Sequence, residues 1–140
     1  MGKLGIIGGI VAIIGGVLIL VHAIIAIDIL SLGIPNLVIS WIINIIVVSL
    51  AFVGAILGFA SKRLGGILAL IAGLIALCLP VLASIIGDFD IAQMFIQYSA
   101  IYYYFEIPLF TVVTPMAMIV SIESLIILGG GVIILVGPTD

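Results

Sequence analysis

The chain has 140 residues, of which 66% are hydrophobic and 6% charged, with a mean hydropathy of +1.72. Three Lys or Arg, six Asp or Glu and one His cannot furnish the charged exterior of a water-soluble fold, so the composition predicts an all-α integral membrane protein whose surface meets lipid. The same scarcity of cations, with a formal net charge of −3, excludes nucleic acid as a partner.

A bilayer crossing needs about 20 mostly apolar residues, and backbone polar groups inside lipid must be satisfied within the helix. Four stretches meet that demand, at about residues 4–27, 37–60, 64–86 and 115–136, the last beginning at Thr114 or Pro115. The first has a longer apolar core than a secretory signal and no small-x-small cleavage site, so it is expected to remain as a membrane helix. "DILSLGIPN", residues 28–36, turns the chain with Asp, Gly, Pro and Asn, and "SKR", residues 61–63, separates the second and third spans with adjacent cations. Gly87, Asp88 and Asp90 close the third span.

Residues 88–110, "DFDIAQMFIQYSAIYYYFEIPLF", are mostly apolar, with Asp90, Gln93, Gln97 and Tyr104 recurring near helical spacing. That pattern predicts an interfacial aromatic helix between spans three and four, its polar side in water and Tyr102, Tyr103, Tyr104 and Phe105 at headgroup level. It would anchor the bundle's depth or form a lid or docking platform; a re-entrant or fifth membrane segment is the alternative.

Lys3, Lys62 and Arg63 are the only basic residues besides His22, and all lie at the N-terminus or in the loop between spans two and three. Basic residues in short loops stay on the cytoplasmic side, so both termini are expected to be cytoplasmic. A weak internal repeat pairs "KLG" at 3–5 and Asp28 with "RLG" at 63–65 and Asp88, which would make the bundle two tandem helical hairpins.

Small residues recur at four-residue spacing: Gly5, Gly9, Ala12 and Gly16 in span one, Gly54 and Gly58 in span two, Gly65, Ala69 and Gly73 in span three. Such stripes let helices approach closely where lipid removes the hydrophobic drive. All fall in the cytoplasmic half, so the bundle is expected to be tight inside and splayed outside.

Glu123 stands alone in an apolar run, "MIVSIESLIILGGG". At 1.5 Å per residue it would lie about 12 Å below the outer end of span four, with Asn44 about 10 Å and His22 about 8 Å below the ends of theirs. Matched depth makes these three one candidate site. It is either a proton or cation site, with Glu123 exchanging, His22 relaying and Asn44 orienting, or an interhelical clamp in which Glu123 hydrogen-bonds a neighbouring helix.

Other chemistry is poorly provided for. One His and one Cys, with Cys78 far in depth from His22, make no metal site, and the glycine runs lack the context of a nucleotide-binding loop. No cofactor and no enzymatic activity are expected. A carboxylate in span four is similar to the duplicated proteolipid subunits of rotary ATPases, but the basic loop here lies between spans two and three; the paired outer cysteines of tetraspanins are absent. The expected function is therefore that of a small structural or accessory subunit of a membrane complex, or a self-assembling envelope component, whose partners are the lipid bilayer and other membrane subunits or copies of itself. The rival is a small proton- or cation-conducting channel or carrier.

Overall fold

The computed structural model describes residues 3–86, 88–112 and 118–137. Helix α1 spans Lys3–Ile25, α2 Pro35–Phe59 and α3 Arg63–Ile86. With the 3-10 turn that follows α1, these are three helices long and apolar enough to cross a membrane. Then come two short helices, α4 at Phe89–Ala92 and α5 at Ala100–Phe105, and two strands, β1 at Phe110–Val112 and β2 at Met118–Val120. The last element, α6, covers Ile122–Val136.

The four longer helices form a square in which α1 and α3 each pack against both α2 and α6, while α2 and α6 face each other across the diagonal. Neighbours run antiparallel. Gly5 near the start of α1 meets Gly58 near the end of α2, and Gly8 meets Gly130 and Ile134 towards the end of α6. Side-chain size explains this closeness: a Cβ on Gly5 would sit 2.5 Å from the Gly58 carbonyl oxygen, and one on Gly130 2.7 Å from the Gly8 carbonyl oxygen and the Ala12 nitrogen. Helix α1 therefore carries two small-residue faces. Gly5, Gly9 and Gly16 abut α2, and Gly8 and Gly15 abut α6. Gly54 of α2 likewise meets Gly65 and Ala69 of α3, whose Gly66 and Gly73 meet α6. Ala12 is fully buried between these faces.

After Ile25 the chain tightens into a 3-10 turn, Ala26–Leu32, ended by Gly33 at φ 67°, a left-handed conformation that glycine adopts without strain. Pro35 then opens α2, where its missing N–H has no intrahelical partner to lose. The Trp41 indole of α2 donates to the Ala23 carbonyl at 2.9 Å, tying the two helices at this end.

The outer segment differs from the expected interfacial helix. Asp88 caps α4 by accepting from the N–H groups of Asp90 and Ile91, at 2.9 and 3.3 Å, and a 3-10 turn follows at Gln93–Phe95. Helical structure then stops, and residues 96–99 pass into the interior, where Gln97, Tyr98, Ser99 and Ala100 are all buried. The polar spacing of Gln93, Gln97 and Tyr104 is thus broken, because the bundle offers residues 96–99 hydrogen-bond partners that a surface helix would not meet.

The fourth apolar stretch also departs from expectation. Its expected start at Pro115 lies outside the described residues, but Met118–Val120 is a strand paired antiparallel with Phe110–Val112, and the helix begins only at Ile122. Ser121 is the reason: its hydroxyl accepts the Ser124 N–H at 3.3 Å, satisfying one of the first-turn donors that an apolar residue would leave open.

Candidate functional site

Three polar side chains, each from a different long helix, converge on residues 96–99. From α2, Asn44 is fully buried; its amide nitrogen donates to the Ser40 and Ile96 carbonyls, both at 2.8 Å, and its Oδ1 accepts the Tyr98 N–H at 3.0 Å. A primary amide carries two donors and an acceptor, so it can grip both sides of an extended residue. From α1, His22 accepts the Ser99 N–H at its Nδ1, at 2.9 Å. An accepting Nδ1 carries no proton, so in this geometry the ring is neutral. From α6, the Glu123 Oε1 accepts the Ser99 hydroxyl at 2.8 Å.

His22, Asn44 and Glu123 do not bond to one another; they meet through the main chain and hydroxyl of the segment between them. Between α1, α2, α3 and α6, the Tyr98 ring joins the apolar cluster of Ile19, Ala23, Val47, Ala72 and Ile127. Its ring centroid stands 4.9 Å from that of His22, and the Tyr103 ring centroid stands 5.0 Å from the same imidazole, the planes tilted by 50° and 35°.

Glu123 lies in the first turn of α6, where the helix dipole favours negative charge, and its carboxylate also faces the opening N–H groups of α5 at Ala100 and Ile101. Ser99 caps α5 as well, accepting the Tyr102 N–H at 3.1 Å, so one hydroxyl links the start of α5 to the start of α6. Glu123 has no exposed surface, and its Oε2 finds no hydrogen-bond partner among the described residues; the same holds for the buried Gln97 Oε1, while the Tyr98 hydroxyl approaches the Ser40 side chain. The Glu123 backbone sits beside Gly15 of α1, about 18 Å along that helix from Lys3 at 1.5 Å per residue. Lys62 and Arg63 belong to the loop at that same far end.

The exposed aromatics follow the inserted segment. Tyr102, Tyr103, Tyr104 and Phe105 are 37, 51, 59 and 71% exposed, with Tyr103 and Tyr104 edge to face at 5.1 Å. Cys78 is exposed on α3, and among the described residues no three of His, Cys, Asp and Glu gather as metal ligands. Sequence reasoning did not single out Ser99, Tyr98 or Trp41. Ser99 carried a usable signal, a capping residue directly before the apolar run of α5; Tyr98 was hidden among neighbours of similar character.

Comparison with protein-family models, curated proteins and solved structures finds no match.

Proposed function

We propose that this chain is a four-span integral membrane protein of structural or accessory type, with both termini cytoplasmic, that acts by association and not by catalysis. The observation that carries this reading is the use of His22, Asn44 and Glu123. All three hold one short stretch of the chain itself between the helices, Asn44 and His22 through its backbone and Glu123 through the Ser99 hydroxyl, which supports a structural clamp. In this reading α6, about 22 Å long at 1.5 Å per residue, completes its crossing through the paired strands and the inserted segment. The small-residue stripes meet one another inside the chain. Partner contacts then fall on the exposed Ile, Leu and Val ridges and on Tyr102 to Phe105.

One observation favours a second reading, a proton or cation site: the buried, unpartnered Glu123 Oε2, far from every Lys and Arg. Proton and sodium flux into liposomes carrying the wild type or Glu123→Gln separates the two, with oligomeric state measured on the same samples. The clamp reading expects no flux from either protein and a stable complex with itself or a co-purifying subunit. Flux that vanishes in Glu123→Gln would replace it with conduction.

A further inference from the structure

The sense of one hydrogen bond gives the clamp a trigger. The Ser99 N–H points at His22 Nδ1 at 2.9 Å, and this bond exists only while Nδ1 is unprotonated. A proton on Nδ1 turns the acceptor into a donor and sets two N–H groups against each other at hydrogen-bond distance. Backbone amides have no alternative protonation state, so the bond between Ser99 and His22 must break. His22 is half-buried, near the end of α1, and imidazoles titrate in the range of about pH 5 to 8.

Burial opposes a charge on His22, so the groups around it decide whether an imidazolium is held there. The elements around His22 carry these polar, aromatic and titratable groups among the described residues. The inserted segment and α5 present the Tyr98 and Tyr103 rings, with centroids at 4.9 and 5.0 Å, whose π faces attract a cation. Helix α6 presents Glu123, separated from the imidazole by Ser99, which bonds to both. The 3-10 turn after α1 carries Asp28, and α2 contributes Asn44 and Trp41, both uncharged. No Lys or Arg opposes the charge at this end.

We propose that protonation of His22 is an acid-sensitive release for the inserted segment: the imidazolium expels the Ser99 N–H, and its attraction to Glu123 fills the gap that Ser99 leaves. Withdrawal of residues 96–99 frees the Asn44 amide and the Glu123 carboxylate and removes the Tyr98 ring from the core. The device is independent of whether the protein associates or conducts.

Hydrogen–deuterium exchange of the Tyr98 and Ser99 amides, in protein reconstituted into nanodiscs, tests it. Protection factors, corrected for the intrinsic pH dependence of exchange, are compared at about pH 7.5 and about pH 5, on either side of the imidazole range. The wild type should lose protection by about tenfold or more in acid, the equivalent of one net hydrogen bond. His22→Gln supplies an amide oxygen that accepts the Ser99 N–H at either pH, so it should keep its protection. Glu123→Gln retains an acceptor for the Ser99 hydroxyl and should still release in acid, and it serves if His22→Gln fails to fold. Unchanged protection in the wild type overturns the proposal. So does equal loss in His22→Gln, or abolition of the response in Glu123→Gln, which would make the carboxylate the trigger.

Discussion

Asn44 shows most directly why buried polar residues in this chain are so few and so placed. Replacing it with Ala leaves the Ile96 carbonyl and the Tyr98 N–H buried without a partner, each costing about 1–3 kcal/mol. Asn44→Ala should therefore lower the thermal midpoint in detergent clearly, whereas Glu123→Gln, which keeps an oxygen for the Ser99 hydroxyl, should stay within about 1 kcal/mol of the wild type. An equal loss in both variants would mean that the charge of Glu123, and not its shape, holds the segment. The isolated acid in an apolar run now has a physical account. It sits where the first turns of α5 and α6 meet, and one serine hydroxyl joins it to both. Counting at a helical rise from residue 115 misplaced Glu123, because the helix starts only at Ile122 and puts the acid in its first turn. What the three hold was not legible, because the partners of Asn44 and His22 are main-chain groups, which every residue carries regardless of its side chain, and the Ser99 hydroxyl that Glu123 holds comes from a distant segment.

Among the elements, the long helices were legible and the connection before α6 was not. Apolar length and small-residue spacing mark α1, α2 and α3, whose bounds differ from the expected spans by only a few residues at either end. The fourth stretch was apolar enough to extend to Pro115, and hydrophobicity cannot distinguish a strand from a helical turn in a short run. The β-branched Ile119 and Val120 and the capping Ser121 were the better guides. Glycine position gives a sharp test at this scale. Gly130 and Gly129 are neighbours in α6, yet a Cβ on Gly130 would press on α1 backbone at 2.7 Å, while one on Gly129 meets no described atom within 4 Å. Because a packed backbone cannot yield as a flexible side chain does, Gly130→Ala should loosen the bundle and lower its midpoint in a denaturant titration of the reconstituted protein. Gly129→Ala, free of contact, should be neutral or gain up to about 1 kcal/mol from helix propensity. Similar losses in both would deny the close α1–α6 contact.

For the whole molecule, the antiparallel square places Lys3, Lys62, Arg63 and the end of α6 at one end, and Asp28, Asp88 and Glu106 with the inserted segment at the other. Among the described residues the cations and the exposed acids thus divide along the axis of the bundle, and basic residues in short loops resist translocation, which underlies the proposed orientation. Two exposed sites at opposite ends, Ser31 and Ala60, allow the orientation to be read without disturbing the packing. In a Cys78→Ser background, which removes the one native thiol, a membrane-impermeant maleimide applied to intact cells should label Ser31→Cys at once. Ala60→Cys should react only after permeabilisation. The reverse pattern would show that three cations do not set the direction of insertion here, and would turn the aromatic row and the His22 end towards the cytoplasm. Labelling of both from one side would contradict a crossing between them. Since His22 lies at the Ser31 end, this result also decides which compartment's pH reaches the imidazole. An outward Ser31 makes the external medium the source of the proton that releases Ser99.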